Sequence, residues 1–196
     1  MPAGMSPCER APDTTLMLRV RWGDEHAFAE LYRRYYRKVM GFFYGMSRDT
    51  QTSEDLCQET FLRIWKLRRK YAASGSFPAY VFAFARNVWL EQCRQARKHQ
   101  RFGSARGGDQ DVQLVTASMA THPDVAAARS ELADCIFGAL DELPVEQRMA
   151  FVMRNIEGLS IREIASAMQC PMNTIRSRKI LAVKKLREAL KGLLVL

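Results

Sequence analysis

Between Asn173 and Lys179 the chain reads Asn-Thr-Ile-Arg-Ser-Arg-Lys. Arginine can pair bidentately with a guanine edge, while lysine, serine and threonine hold phosphates. A second group, Tyr80, Ala83, Arg86, Asn87 and Arg94, places an aromatic ring beside basic and amide side chains. That mixture suits unpaired bases, which stack on rings while their phosphates need cations. A third group, Asp55, Gln58, Glu59 and Leu62, shares one face at helical spacing. DNA would repel its acids, so it is a candidate for docking protein. Each group also has a plainer reading: a solvated basic face, aromatics that belong to the core, and acids that merely compensate a helix dipole. His26, His99 and His122 are isolated, and no histidine, cysteine and carboxylate cluster has catalytic spacing. No catalytic residue, metal or cofactor is therefore expected, and the chain is not expected to be an enzyme.

The 196 residues are 47% hydrophobic and 26% charged, with a net charge of +9. That balance points to globular structure and a polyanionic partner, nucleic acid before a membrane surface. Tyr80 to Ala85 is the apolar stretch YVFAFA, far too short to span a bilayer. The proline-bearing residues 1–12 read as a disordered arm without a signal-peptide core. No membrane insertion is expected, and a cytoplasmic location follows. The five cysteines, Cys8, Cys57, Cys93, Cys135 and Cys170, are odd in number and lack C-x-x-C spacing. The last four fall in helical segments, where buried free thiols are expected.

The elements that must position these groups are all helices. Asp13 is expected to cap a first short helix, Gly23 to stop it and Asp24 to cap the next. Phe28, Leu31, Tyr32, Tyr35, Val39, Phe42 and Met46 then recur at helical spacing. Residues 47–52 read as a loop and Ser53 as the cap of a third helix, with Cys57, Phe61, Ile64 and Trp65 inward. Ala72 to Ser76 is a small-residue loop, and Pro78 opens a fourth helix. From residue 102 to 122 the apolar pattern fails, and glycine, serine and threonine mark a flexible linker. Pro123 and Asp124 open a second half, in which Leu132, Ile136, Ala139 and Leu140 form a face. Pro144 starts a further helix with Val145, Met149, Val152 and Ile156 inward, and Gly158 ends it. Ser160 and Glu163 form a capping box, with Leu159 and Ile164 as a hydrophobic staple. The break around Pro171 separates this helix from a basic one that Asn173 is expected to cap. Two short helices, a tight turn and a basic second helix predict a helix-turn-helix. No strand pattern appears. The fold class is all-α: two helical domains on a flexible linker, the C-terminal one a helix-turn-helix.

In order, GDEHAFAELYRRYYRKV from Gly23, SEDLCQETFLRIW from Ser53, FPAYVFAFARNVWLEQCR from Phe77 and LPVEQRMAFVMRNIEGLSIREIASAMQCPMNTIRSR from Leu143 resemble the extracytoplasmic-function (ECF) sigma factors of bacterial RNA polymerase. The resemblance covers almost all of the chain after Pro12. It implies that residues 13–101 are sigma region two, 102–122 a linker threading toward the active-centre and RNA-exit channels, and 123–196 region four.

The resemblance assigns roles as well. Asp55, Gln58, Glu59 and Leu62 match the face that docks on the clamp helices of the beta-prime subunit, while region four meets the beta flap. Tyr80, Ala83, Arg86 and Asn87, with Arg94 beyond them, match the helix that reads the minus-ten element as its strands separate. Ala72 to Ser76 match the loop that holds a flipped base. Asn173, Thr174, Arg176, Ser177, Arg178 and Lys179 match the recognition helix for the minus-thirty-five element. Promoter-specific initiation, of a stress or envelope response regulon, and an anti-sigma partner are implied. Some positions depart from the family: Tyr80 replaces tryptophan, Gln169 a turn glycine, and Lys179 with Leu181 inverts the usual apolar and basic order. The rival reading is a stand-alone helix-turn-helix regulator, which leaves the SEDLCQETFLRIW face unexplained.

Overall fold

The structure, a computed structural model, describes residues 11–103 and 135–191, with side chains omitted for 99–103. Most of the expected arm and linker, Pro123, Asp124, Leu132 and the apolar end Leu193–Leu196 lie outside the described residues. The chain-order helices are α1 (Asp13–Arg21), α2 (Glu25–Ser47), α3 (Thr50–Lys66), α4 (Phe77–Gly103) and α5 (residues 135–141). They are followed by α6 (Val145–Phe151), which runs into a π-turn (Val152–Ile156), then α7 (Ile161–Met168) and α8 (Met172–Ala189). No strand occurs among the described residues.

Local chemistry sets most boundaries, and in three places before α7 it differs from expectation. Asp24 caps α2, accepting from the Ala27 amide at 2.9 Å. Asp13, however, is already helical, with Pro12 at the cap position of α1. Its carboxylate instead takes Arg34 at 2.6 Å and the Tyr35 hydroxyl, pinning α1 on α2. Helix α3 begins at Thr50, because Asp49 is its cap and accepts from the Thr52 amide at 2.7 Å. Ser53 is therefore not a cap. It is fully buried inside the helix, its hydroxyl donating to the Asp49 carbonyl at 2.6 Å. The expected loop of residues 47–52 shrinks to Arg48 and Asp49.

The third difference lies after α6. There the Glu157 amide bonds the Val152 carbonyl five residues back, at 3.1 Å, the winding of a π-turn. One extra residue in the turn rotates Ile156 outward. It is 48% exposed, while Val152 and Met153 are fully buried. Gly158, at φ +73°, then reverses the chain toward α7.

The core is continuous across both halves of the chain. Phe42, Phe43, Phe77 and Phe82 from the first half and Met149, Met153, Ile164 and Ile175 from the second belong to one buried cluster. A smaller cluster, Leu140, Leu143, Ala182 and Leu186 among them, ties α5 to α8. The two expected blocks are thus packed on each other. Gly45 makes this possible: a Cβ there would stand 3.0 Å from Val152 Cγ1. Glycine inside a helix costs about 1 kcal/mol relative to alanine, and the close approach of the π-turn accounts for it here. Arg148 seals the same contact from the second half. Its guanidinium is buried, donates to the Gly45 carbonyl at 3.0 Å and pairs with Asp141.

Candidate nucleic-acid interface

Helices α7 and α8 form the expected helix-turn-helix. The Ser160 hydroxyl accepts from the Glu163 amide at 3.2 Å, and the Ser160 amide donates to the Glu163 carboxylate at 2.8 Å, completing the capping box. Gln169 ends α7 in the left-handed region, at φ +52°. Residue 169 is thus a position that favours glycine. Helix α8 starts one residue before Asn173, with Pro171 at its cap position. Asn173 is therefore not the cap. Proline's fixed φ turns the chain into the helix first, and the Asn173 amide oxygen accepts from Arg176 Nη1 at 2.7 Å.

Ile175, Ala182 and Leu186 face the core from α8. Asn173, Arg176 and Ser177 are exposed, and Thr174, Arg178 and Lys179 are half-buried. Arg178 is engaged within the protein: Nη1 lies 3.0 Å from the Glu146 carboxylate. Lys179 sits toward the core edge, whereas Ile180 is 67% exposed and Leu181 46%. A lysine at a half-buried site can snorkel its ammonium outward.

Helix α4 carries the second group. Val81, Phe82, Ala85, Val88 and Trp89 are buried, and Phe84, expected in the core, is half-buried. Asn87 and Arg94 are exposed; Tyr80, Ala83 and Arg86 are half-buried. Tyr80 packs edge-on against Tyr71 and Phe84, each with ring centroids 5.0 Å apart. Burial pushes its phenol up to about 12, so it stays protonated and can donate a hydrogen bond. The 72–76 loop precedes α4 as expected. Together with Tyr71, Tyr80 and Ala83 it bounds a cavity of ≈ 160 Å³.

One wall of that cavity comes from the other half of the chain. Ser166 of α7 lines it, and the Ser76 hydroxyl donates to the Glu163 carboxylate at 3.2 Å. Arg86 lies 3.7 Å from Glu146, the residue that also holds Arg178. Glu146 thus joins the two groups, while Glu163 and Ser166 close on the loop beside the second, and sequence reasoning missed those roles. An acid in the first turn of a helix carries no sign of a distant partner.

The third group lies on the outer face of α3. Asp55, Gln58 and Leu62 are exposed, Leu62 by 50%. Glu59 is half-buried and pairs with Arg63 at 2.5 Å, which also reaches Glu91 at 2.6 Å. The expected inward stripe is present: Cys57, Phe61 and Ile64 are buried, and Trp65 half-buried.

The thiols differ from one another. Cys57 is fully buried, and burial pushes it up to about 12. Cys93 and Cys170 are half-buried, and Cys135, expected inside, is exposed at the start of the described part of α5. No group of three or more metal-ligating side chains occurs among the described residues. No described helix is long and apolar enough to cross a membrane.

Comparison with known proteins bears on the whole arrangement. The family model described as Sigma-70 region 2 matches residues 31–99, and that described as Sigma-70, region 4 matches residues 133–186. The chain is 29% identical over 191 residues to the RNA polymerase sigma-H factor of Pseudomonas aeruginosa, covering 93% of this chain and 95% of that protein. It is 28% identical over 181 residues to the ECF RNA polymerase sigma-E factor of Escherichia coli, covering 87% of this chain and 90% of that protein. Its fold is similar to that of CnrH, solved in complex with the cytosolic domain of CnrY: TM-score 0.68, 22% identity, 92% of this chain and 97% of that one. It is also similar to RpoE of Bartonella quintana, solved with the anti-sigma factor NepR: TM-score 0.65, 21% identity, 84% of this chain and 96% of that one. A stand-alone regulator accounts for the helix-turn-helix but not for a region-two match in the same chain. With both regions present in order, the chain belongs to the ECF sigma factors of the sigma-70 family, the proteins that join core RNA polymerase and direct it to promoters.

Proposed function

We propose that the three groups divide the work of initiation among them. Asp55, Gln58, Glu59 and Leu62 grip the clamp helices of the beta-prime subunit. The observation that carries this is an exposed leucine among acids on a chain of net charge +9. Tyr80, Ala83, Arg86, Asn87 and Arg94 read the minus-ten strand, and the cavity beside the 72–76 loop takes an unstacked base. Unpaired bases can be captured only in a pocket, and this one has an aromatic wall. Asn173, Thr174, Arg176, Ser177, Arg178 and Lys179 meet the minus-thirty-five element in a major groove. Arg176 is the candidate for bidentate contact with guanine, and Lys179 for phosphate. Residues 13–101 and 123–196 act as two DNA-binding units, and 102–122 connects them through the polymerase channels, with region four on the beta flap. Two weak contacts on one chain gain avidity when both promoter elements stand at the right spacing.

The chain adds no catalysis of its own; the polymerase makes the bonds, in the cytoplasm. An anti-sigma factor covers the free protein. The exposed Leu62, Ile180 and Leu181 support this, since apolar surface of that kind calls for a partner. Run-off transcription with purified core polymerase on genomic fragments, followed by mapping of start sites, tests the reading. Defined starts that depend on the added chain are expected. Their absence at every fragment overturns it.

A further inference from the structure

The turn between α1 and α2 carries a large side chain that the core does not use. Trp22 is 87% exposed, more than any other large apolar side chain among the described residues. Its backbone is held: the Trp22 amide donates to the Arg19 carbonyl at 3.0 Å, and Gly23 turns the chain at φ +95°. Arg19 closes the turn on Asp24 at 2.7 Å. The ring therefore stands on a braced corner. Arg21 joins this corner to the cavity beside the 72–76 loop. Its guanidinium carbon lies 5.9 Å from the Trp22 ring centroid, and its Nη1 donates to the Tyr71 carbonyl at 3.5 Å. Tyr71 is a wall of that cavity. Helix α1 also packs on the short helical turn Arg68–Lys70, which leads into Tyr71. All three residues of that turn are basic, and Arg69 and Lys70 are exposed. Among the described residues no acid pairs with Arg21, Arg69 or Lys70.

We propose that Trp22 is a stacking platform for a second unpaired base of the minus-ten strand, beside the base held in the cavity, with Arg21, Arg69 and Lys70 taking the phosphates. The platform rests on the reading of α4 and the 72–76 loop as the minus-ten surface. Every base has a π-face, so an indole holds the strand apart from its complement without reading its sequence. Arg21 covers one face of the ring and leaves the other for a base. A tryptophan beside an arginine also suits a protein partner. Two observations favour nucleic acid: the path through Arg21 and Tyr71 leads to the cavity, and the cations outnumber Glu25, the exposed acid that follows the turn.

The test uses the full chain bound to core polymerase and a single DNA strand carrying the minus-ten sequence of a mapped start site. Fluorescence anisotropy reads affinity. 2-Aminopurine placed at successive positions reads stacking, because its emission dims against an aromatic ring. Trp22→Ala is expected to weaken strand binding by about tenfold, in the range of one lost base–aromatic stack. Trp22→Tyr keeps a ring and is expected to stay within about threefold of wild type. One position beside the captured base should be dim with wild type and Trp22→Tyr and bright with Trp22→Ala. Arg69→Ala with Lys70→Ala should lower the log–log salt slope by about 0.7 for each cation lost. Core-polymerase affinity and thermal unfolding of Trp22→Ala should match wild type, because the side chain is exposed. If Tyr80→Ala weakens the strand while Trp22→Ala stays within about twofold of wild type, with the dim position unchanged, the platform is overturned and the minus-ten reading stands. If Tyr80→Ala is equally silent, that reading falls and the platform with it. A Trp22→Ala chain that loses core polymerase but, once bound, holds the strand normally marks a protein contact and also overturns the platform.

Discussion

Helices α3 and α4 pack side by side in the same half, yet one presents a bare outer face and the other is covered. The α3 ridge is acidic and the second half of the chain is basic at α8, so charge alone would bring region four to α3. It goes to α4 instead. Exposed ion pairs are worth about 0–1 kcal/mol each, whereas apolar area removed from water contributes about 25 cal/mol per Å². The α4 side offers what close packing needs: small residues at Ala79 and Ala83 beside the cavity, glycine at 45, and buried aromatics beneath. Shape chose the site of closure, and the outer face of α3 was left uncovered.

That contrast can be broken most severely at the ridge. Leu62→Arg together with Asp55→Arg is expected to lower run-off transcription by about 100-fold, the scale of removing anchors from an interface centre. Thermal unfolding and compactness should not move, because both side chains are exposed. Loss of compactness would mean that the ridge also serves the closed form.

At the recognition helix, Arg176→Ala is expected to weaken minus-thirty-five duplex binding by about 10-fold or more, in the range of a lost bidentate base contact. Lys179→Ala should instead weaken all sequences alike and lower the steep salt dependence of promoter binding by about one unit of log–log slope. A flat salt response in the wild type would contradict the phosphate contacts.

Gln169→Gly offers a control that touches neither α3 nor α4. The left-handed backbone at φ +52° suits glycine, so the substitution should stabilise the helix-turn-helix by about 1 kcal/mol, read as a rise in Tm, with ridge function unchanged.

The smallest effect concerns pH. Glu157 lies against Gly41 of α2 across the junction, and burial pushes its carboxyl up to about 7, opposed in part by Lys38. Its ordinary value is 4.5. A raised value in the closed state means closure is fully favoured below the ordinary value and loses that support as pH rises through about 7. Scattering should therefore show a slightly more compact chain at about pH 6 than at about pH 8, and Glu157→Gln should remove the difference.

Much of this was readable along the chain. The Ser160 and Glu163 capping box, the helix-turn-helix and the Asp55 to Leu62 ridge depend on residues three to seven apart, and helical periodicity fixes such neighbours. Errors of local reading arose where two candidates competed. Asp49 displaced Ser53 as a cap, and Pro171 set the start of α8 before Asn173. The π-turn turned Ile156 outward because its winding leaves no mark in an apolar repeat.

The residues themselves determined the helices, their inward faces, the basic and acidic surfaces and the two-part family pattern. Only the tertiary structure decided that Glu146 would join Arg86 to Arg178, that Arg148 would reach the Gly45 carbonyl, and that α4 would pack under α7 while the outer face of α3 stayed open. Those contacts join segments far apart in the chain. They depend on complementary shape, which no spacing or composition encodes.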